Sequence, residues 1–320
     1  MSEFTVVPTP RGGARKGTEM KVFITGGTGY VGSVLVEHLV TAGHEVSALA
    51  RSEASGARLA AAGAAAVRGE LADAALLRAA AETADAVIHA AVDYTMSDTA
   101  NAAELAAVTA LTEGAGAADA GKPVVYTSTG LVYGFAPERD TTEDAKLPEA
   151  SAQPVKAQAE RIVLGSAGTT PIVVRAGLVY GRGGSGLLTG LIGSAAQTGA
   201  ATYIEDGENT WSPIHVDDLA ALYLAALANP VSGVYNAVGE HPFSFRELAE
   251  AIAELTGAKP LSIPFETAEQ QLGAFAHVLR STSTLRADKA RAAFGWAPSG
   301  APLIDEVRAG GYRVPASVAS

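Results

Sequence analysis

A glycine-rich turn near the start of the chain has the residue types and the spacing that bind a phosphate. Residues 21–32 read KVFITGGTGYVG. The first glycines permit the positive φ of a tight turn, and Gly29 allows the backbone to approach a pyrophosphate. Gly32 lets the next helix pack close to the strand, so that its first N–H groups and its dipole face the phosphates. The turn therefore predicts a dinucleotide site formed by Gly26, Thr28, Gly29, Tyr30, Val31 and Gly32.

The end of the second predicted strand carries a cation where many nucleotide sites carry an acid. Arg51 and Ser52 lie roughly 20 residues beyond the glycines, where a site selective for NAD usually has an Asp or Glu for the ribose 2′-hydroxyl. A guanidinium donates forked, charge-assisted hydrogen bonds that suit a 2′-phosphate. The sequence therefore predicts NADP(H), with NAD less favoured. Glu53 lies just beyond this site, and the alternative interpretation of Arg51 is a solvated surface cation.

The elements that must position these residues alternate along the chain. Strands are predicted at residues 21–25, 45–50, 65–68, 86–90, 124–128, 172–175 and 234–236. Helices are predicted at residues 30–42, 54–62, 73–81, 102–120, 154–164, 215–227 and 245–255. Strands that are continuous apolar runs separated by helices indicate a parallel sheet covered on both faces. With right-handed crossovers, the predicted fold is an α/β Rossmann fold with a doubly wound parallel sheet.

A change in character after residue 176 predicts a smaller C-terminal lobe that binds the substrate. Residues 177–193 are rich in glycine, and the later insertions alternate with segments that return to the sheet. The predicted organisation is a disordered extension over residues 1–19, a nucleotide-binding domain over 20–176 with returns near 214–238, and a substrate lobe over 177–213 and 239–320.

The composition limits the classes of function. Of the 320 residues, 48% are apolar and 18% are charged, which is typical of a compact globule. The formal net charge of −11 argues against a nucleic-acid partner, because phosphate binding requires a basic face. The absence of cysteine excludes a thiolate metal site and a cysteine nucleophile. No apolar run reaches the roughly 18 residues of a membrane span, so we expect a cytoplasmic protein that binds a small molecule.

Further motifs follow the glycine turn in order along the chain. They are GELAD at residues 69–73, IHAA at 88–91, YTSTGLVYG at 126–134, RAGLVYG at 175–181 and IHVDDL at 214–219. Together with the turn, they resemble an extended or atypical short-chain dehydrogenase/reductase of the NAD-dependent epimerase/dehydratase type over nearly the whole chain. The resemblance implies that Glu70 and Leu71 lie beside the adenine and that Ala90 and Ala91 line the cofactor site.

The catalytic residues of this family are only partly present. The family uses a Ser or Thr, a Tyr and a Lys, the last two spaced Tyr-x-x-x-Lys. Lys156 and the downstream Glu160 fit the pattern, but Ala152 occupies the tyrosine position. The resemblance implies that Lys156 binds the nicotinamide ribose and that Thr129 donates a hydrogen bond to a substrate carbonyl oxygen. The general acid of the family is therefore missing.

Three sources of the proton remain open. The first is another side chain, either Tyr94 after the fourth strand or Tyr133, although Tyr133 belongs to the V-Y-G turn and is interpreted as structural. The second is ordered water. The third is the substrate itself, through a hydroxyl beside the ketone, as a phenolic polycyclic compound would provide.

Other polar residues receive structural interpretations. His89 ends an apolar strand and is predicted to be a packing residue whose hydrogen bonds are satisfied. His215, Asp217 and Asp218 head a helix, where acids complement the helix dipole. No metal is predicted, because a third ligand with suitable spacing is missing.

The favoured function is an NADPH-dependent ketoreductase acting on a small or polycyclic aromatic ketone. The resemblance includes angucyclinone ketoreductases of antibiotic biosynthesis that also lack the tyrosine. The alternatives are an epimerase or dehydratase with bound cofactor, and a catalytically silent protein that senses or binds NADP. The chain is expected to be a monomer or a homodimer. The resemblance makes the helices at residues 102–120 and 154–164 candidates for a dimer interface, but their small apolar faces suit packing on the sheet equally well.

Overall fold

The computed structural model describes residues 19–92, 97–134, 140–149 and 151–314. The strands are β1 (Lys21–Thr25), β2 (Glu45–Ala50), β3 (Ala65–Arg68), β4 (Ala86–His89), β5 (Lys122–Thr129), β6 (Thr169–Ala176), β7 (Leu178–Tyr180), β8 (Ala200–Ile204), β9 (Thr210–Trp211), β10 (Pro213–His215), β11 (Gly233–Ala237), β12 (Phe243–Ser244) and β13 (Lys259–Ile263). The helices are α1 (Tyr30–Thr41), α2 (Glu53–Ala61), α3 (Ala74–Thr83), α4 (Asp98–Gly116), α5 (Pro154–Leu164), α6 (Gly186–Thr198), α7 (Val216–Ala228), α8 (Phe245–Thr256), α9 (Phe265–Leu272), α10 (Phe275–Arg280), α11 (Asp288–Phe294) and α12 (Leu303–Arg308).

A seven-stranded parallel sheet forms the centre of the molecule. Its strand order is β11-β6-β5-β4-β1-β2-β3, and each neighbouring pair is parallel. The order reverses beside β1, where β2 lies on one side and β4 on the other, and ligands bind at such a switch point in open α/β sheets. The prediction of an α/β Rossmann fold with a parallel sheet is confirmed, and β11 returns to the sheet beside β6.

Helices cover both faces of the sheet because its strands are apolar on both sides. Ile24 and Ile88 belong to a core that includes residues of α1 and α7. Phe23 and Val87, which point to the opposite face, pack with residues of α3 and α4. Next to them, Val163 of α5 joins α4 over β5 and β6. This alternation along each strand decides which helices a polar side chain at a strand end can reach.

The C-terminal part of the chain builds a second core outside the sheet. Leu188 and Ile192 of α6, Ile252 of α8 and Val307 of α12 are buried together there. α8 begins with a capping box in which Ser244 and the third helical residue satisfy each other's backbone N–H groups. Two-stranded pairs, β13 with β8 and β12 with β9, complete this lobe.

Two features of the lobe differ from the sequence-based expectation. The glycine-rich stretch contains the helix α6, whose buried residues Leu188, Ile192 and Ala195 recur at helical spacing. Gly186 and Gly190 face open space, so they obscure the pattern without contributing to the packing. α11 and Trp296 were expected in the lobe. They pack instead into the core over the main sheet, where they cover the apolar faces of β11 and α7.

In the part of the chain that the structure describes, no helix is both long enough and apolar enough to cross a membrane.

Candidate active site

The turn between β1 and α1 has the geometry that the glycine spacing predicts. Gly26 has a φ of +78°, and a Cβ atom there would lie 2.6 Å from the backbone of Ala90 and Ala91. A Cβ on Gly32 would collide with the carbonyl oxygen of Gly26. Side chains at either position would separate β1, α1 and the end of β4, so the turn requires glycine at both.

The amino end of α1 offers its N–H groups to an anion. Gly29 precedes the helix and supplies no side-chain cap, and the first turn of α1 contains no acid. The first N–H groups of a helix have no partners within the helix, and the positive end of the helix dipole lies beside them. A turn without Cβ atoms beside an uncapped helix end fits the pyrophosphate of a dinucleotide.

The side chains of the turn itself point elsewhere. The Tyr30 hydroxyl donates a hydrogen bond to the carbonyl oxygen of Gly181 at 2.8 Å. Val31 packs against the core over the main sheet, and Thr28 is half-buried. The Tyr30 and Val31 side chains are thus engaged within the protein, and the place of these two residues in a cofactor site stays a prediction.

Two residues that follow β2 differ in their surroundings: the Ser52 hydroxyl is hydrogen-bonded within the protein, and the Arg51 side chain is exposed to solvent. Ser52 caps α2: its hydroxyl accepts the N–H of Ser55 at 3.1 Å, and the Ser55 hydroxyl in turn accepts the Ser52 N–H at 2.9 Å. The Ser52 hydroxyl thus caps the helix, and the contact of Ser52 with a cofactor stays a prediction. Arg51 is exposed and has no ion-pair partner among the described residues. Its guanidinium is thus available to a phosphate.

The other predicted cofactor contacts follow neighbouring strands. Glu70 is exposed and Leu71 is half-buried after β3, while Ala90 and Ala91 are half-buried after β4. The carboxyl ends of parallel strands meet at one edge of a sheet, so these residues share an edge with the glycine turn. Their arrangement along β1–β4 fits an extended dinucleotide.

Lys156 lies in the first turn of α5, beneath the carboxyl end of β5. Its ammonium donates hydrogen bonds to Oε1 of Glu104 at 2.8 Å and to the carbonyl oxygen of Thr127 at 3.4 Å. The nitrogen also lies 4.9 Å from the ring centroid of Tyr126. The Lys156 side chain keeps 12% of its surface exposed, so the ammonium is not sealed from a ligand.

Glu104 of α4, which the sequence interpretation did not single out, lies at the centre of the contacts around Lys156. Its carboxylate is buried and also accepts hydrogen bonds from the Tyr126 hydroxyl at 2.8 Å and from Nε2 of His89 at 3.1 Å. Burial raises the pKa of Glu104, but His89 and Lys156 outweigh this effect, so the pKa lies well below its usual range. A signal was present: Glu104 continues the buried stripe of Val108 and Leu111 at helical spacing.

His89 is fixed by hydrogen bonds on both ring nitrogens. Nδ1 lies 2.7 Å from the hydroxyl of Thr25, and Nε2 faces the Glu104 carboxylate. Because a carboxylate only accepts hydrogen bonds, Nε2 of His89 carries a proton and donates it in the hydrogen bond to Glu104. The Thr25 hydroxyl is the hydrogen-bond partner of Nδ1. The contacts agree with the predicted packing role of a histidine whose hydrogen bonds are satisfied.

Thr129 ends β5 at the same edge. Its oxygen accepts the N–H of Leu131 at 3.2 Å, which leaves the hydroxyl proton free to be donated. Lys156 contacts the same strand two residues earlier, at the carbonyl of Thr127. Ala152 lies two residues before α5 begins and packs against the core of the lobe.

The tyrosines considered as proton donors are placed differently. The hydroxyl of Tyr133 donates to Oδ1 of Asn236 at 2.9 Å, and the Arg175 guanidinium lies 4.7 Å from its ring centroid. Burial raises the pKa of Tyr133. These contacts agree with its interpretation as a structural residue. Tyr94 lies outside the described residues.

The helix α7 begins within the IHVDDL motif, at Val216, and the polar residues of the motif bind neighbouring segments. Asp217 lies 2.8 Å from Nε2 of His38 and contacts Arg182, while His215 accepts the N–H of Asp217. Asp218 accepts the N–H groups of residues 299 and 300. Within the ranges the structure describes, no group of three His, Asp or Glu side chains could hold a metal ion.

Sequence comparison places these features in a known family. A family model described as the NAD dependent epimerase/dehydratase family matches residues 22–238, more than half of the chain. The chain belongs to this family. The predicted family resemblance is thereby confirmed.

Individual members of the epimerase/dehydratase family and solved structures extend the match to most of the chain. An uncharacterized protein of Saccharomyces cerevisiae is 30% identical over 298 residues, covering 91% of this chain and 98% of the relative. A 4-hydroxy-2-methyl-3-oxo-4-farnesyl-3,4-dihydroquinoline-1-oxide ketoreductase of Stigmatella aurantiaca is 32% identical over 262 residues, 78% of each chain. The structure of MoeE5 in complex with UDP-glucose and NAD is 25% identical, with a TM-score of 0.73 over 90% of this chain and 96% of that one.

Proposed function

We propose that the protein is an NADPH-dependent ketoreductase that works without a catalytic tyrosine. The observation that carries the proposal is the edge of the sheet at which the glycine turn, the Lys156 ammonium and the Thr129 hydroxyl are presented together, while position 152 holds alanine. A phosphate cradle beside a cation and a hydroxyl donor suits a dinucleotide and a carbonyl group. The similarity to a ketoreductase of Stigmatella aurantiaca supports the same reaction class.

The side chains of the site have separate tasks in this reaction. When bound, a reduced nicotinamide supplies the hydride that the carbonyl carbon receives. Thr129 donates its hydroxyl proton as a hydrogen bond to the carbonyl oxygen and stabilises the negative charge that develops there. Lys156 binds the ribose next to the nicotinamide through an N–H that has no acceptor among the residues that the structure describes. The oxygen then needs one proton to complete the alcohol.

We propose that the proton comes from the substrate, through a hydroxyl beside the ketone; the oxyanion left on that hydroxyl then takes a proton from solvent water. The phenols of Tyr126 and Tyr133 are bonded to Glu104 and Asn236, so neither is available at the edge. Burial raises the pKa of Tyr126, as does the neighbouring Glu104 carboxylate, which makes its phenol a poorer acid. The name of the Stigmatella relative's substrate places a hydroxyl at position 4 beside an oxo group at position 3. The proposed substrates are accordingly hydroxyl-flanked ketones, including polycyclic aromatic ones.

Arg51 supports NADPH as the preferred cofactor. Its exposed guanidinium stands at the carboxyl end of β2, where the 2′-position of the adenosine ribose is expected. A fork of N–H donors binds a 2′-phosphate better than a 2′-hydroxyl.

A spectrophotometric assay tests the proposal. Purified protein is mixed with NADPH or NADH and with pairs of ketones that differ only in whether the adjacent hydroxyl is free or methylated. We expect NADPH to be consumed faster than NADH, and the free-hydroxyl ketone to react faster than its methyl ether. Equal rates for the two ketones would contradict the proton source. Conversion of a sugar nucleotide without net consumption of NADPH, or binding without consumption by any ketone, would contradict the reductase.

A further inference from the structure

We propose that Glu104 is a positioning residue that aims the Lys156 ammonium at the ribose next to the nicotinamide. This inference rests on the proposed function, because it assigns Lys156 to the cofactor. Glu104 does not touch the cofactor or the substrate in this account. It acts through the atoms of Lys156 alone.

The count of hydrogen bonds at Lys156 points to this role. An ammonium has three N–H donors. Glu104 takes one at 2.8 Å, and the carbonyl oxygen of Thr127 takes a second at 3.4 Å. These two acceptors come from α4 and β5, so they fix the nitrogen from two directions. Among the described residues the third donor has no acceptor, and it lies on a side chain that keeps 12% of its surface exposed.

The position of Lys156 on its helix explains why a buried acid is needed. The residue lies in the first turn of α5, which has no acid of its own. The amino end of a helix carries partial positive charge, so a cation is disfavoured there. Glu160, one turn later on the same helix, is bonded to Arg175. Glu104 of α4 therefore supplies the negative charge that keeps a cation at this helix end.

Glu104 is itself held in one orientation. Tyr126 of β5 donates to the same oxygen that Lys156 contacts, and His89 of β4 donates to the other. His89 is in turn fixed by Thr25 of β1. The carboxylate therefore cannot turn away from Lys156 without breaking bonds to three neighbours. The chain of contacts joins three strands of the sheet, β1, β4 and β5, to the lysine, which is more than a surface ion pair provides.

The test compares two ligands that differ in the part Lys156 would contact. NADPH contains the ribose next to the nicotinamide, whereas 2′,5′-ADP contains only the adenosine half. The variant Glu104→Gln keeps the size of the side chain and removes its charge. We expect it to bind NADPH about tenfold more weakly, as for the loss of a hydrogen bond to a charged group, and 2′,5′-ADP as tightly as the wild type does.

A matched control and a double-mutant cycle separate positioning from folding. Glu113→Gln removes a carboxylate from the exposed side of the same helix and should bind both ligands like the wild type. In a Lys156→Met background, the Glu104→Gln change should have no further effect on NADPH affinity, because the residue through which it acts is gone. If Glu104→Gln does not fold, Tyr126→Phe removes one bond to the carboxylate and should weaken NADPH binding alone, by a smaller factor.

Different failures have different meanings. If the wild type binds neither NADPH nor 2′,5′-ADP, the proposed function is wrong. If the wild type binds both and Glu104→Gln binds NADPH equally well, the role of Glu104 is wrong while the function stands. An equal loss of both ligands, or additive effects in the cycle, would make Glu104 a structural residue and overturn the inference.

Discussion

Two buried carboxylates lie under the same face of the sheet, and their surroundings differ. Glu160 accepts hydrogen bonds from Nε and Nη2 of Arg175 at 3.0 and 2.6 Å and from the Ser128 hydroxyl at 2.5 Å. Glu104 accepts hydrogen bonds from Lys156, Tyr126 and His89. The Arg175 and Glu160 side chains are 5% and 2% exposed, against 12% for Lys156. The Arg175–Glu160 pair is therefore closed to solvent, whereas the Lys156–Glu104 pair is open at the edge of the sheet where the cofactor is proposed to bind.

The difference separates a structural ion pair from one that can serve a ligand. The closed pair joins β6 to α5, with Ser128 of β5 as a further donor, whereas the open pair joins α4 to α5, with the Thr127 carbonyl of β5 as a further acceptor. Its remaining nitrogen, Nη1, is buried and has no hydrogen-bond partner within the described ranges, and the guanidinium lies against the ring of Tyr133. The open pair retains a donor on a partly exposed side chain. A buried charge is therefore weak evidence of function by itself, and a spare donor at the binding edge is stronger evidence.

Breaking the closed pair should have the largest effect on stability. Arg175→Met leaves the Glu160 carboxylate buried without its cation, and such a loss typically costs about 3–5 kcal/mol. Unfolding in urea, followed by circular dichroism, measures the change in the free energy of unfolding. The protein that remains folded should still bind NADPH. A loss below about 1 kcal/mol would show that this cluster does not hold the fold as described.

On the open side, Thr129→Val should affect the chemical step and leave the fold intact. Valine is similar in shape but cannot donate to the carbonyl oxygen, and loss of one such donor lowers kcat by about 10²–10³-fold. Thr129→Ser keeps the donor and should retain most of the activity. Steady-state kinetics with NADPH and a reactive ketone measure both variants. Equal kcat values for the valine and serine variants would exclude the hydroxyl from catalysis.

The contribution of Glu104 to stability should depend on pH. His89 and Lys156 outweigh the effect of burial and hold the pKa of Glu104 below that of an unfolded chain, which is about 4.3. The carboxylate therefore contributes fully above about pH 4.3, and its contribution is lost as the pH falls further. At pH 7 the free energy of unfolding of the wild type should exceed that of Glu104→Gln by about 1–3 kcal/mol. The difference is smaller than for a fully buried pair because Lys156 is only partly buried.

Urea unfolding of the wild type and Glu104→Gln between pH 7 and pH 3 measures that difference. The gap should stay constant down to about pH 5 and then shrink, because only the wild type loses a charged group that the fold stabilises. A gap that widens toward acid pH would reverse the sign and contradict the assignment of Glu104 as a carboxylate.

The smallest expected effect concerns the choice between the two dinucleotides. Arg51→Ala removes an exposed cation and should weaken NADPH binding about tenfold while NADH binding stays unchanged. Arg58→Ala, a change of the same kind on α2, serves as the control. Isothermal titration calorimetry with NADPH and with NADH measures the affinity of each variant for both nucleotides. An equal effect on NADPH and NADH would mean that Arg51 does not contact the 2′-phosphate.

Local patterns in the sequence predicted much of the fold. β1, β2 and β3 have the predicted bounds, because continuous apolar runs in parallel strands carry a strong signal. α6 was missed because Gly186 and Gly190 dilute its apolar stripe. The glycine turn was predicted because the chemistry lies within a few consecutive residues.

The site was harder to predict where distant residues meet. Lys156 and Glu104 are 52 positions apart, and no spacing rule brings them together. An acid in an alanine-rich helix usually faces solvent, so the sequence pattern does not mark Glu104 as a site residue. The role of Ser52 as a cap was likewise invisible in a pattern centred on Arg51. In each case the tertiary contacts, rather than the local sequence, set the role of the side chain.

Equilibrium titration of the purified protein with NADPH and NADH tests the central claim most directly. The glycine turn, the uncapped end of α1 and Arg51 predict saturable binding of NADPH, tighter than that of NADH. Gly32→Val, which places side-chain atoms against the carbonyl of Gly26, should abolish binding in protein that remains folded. Failure of the wild type to bind either nucleotide would contradict the assignment of this edge as a dinucleotide site.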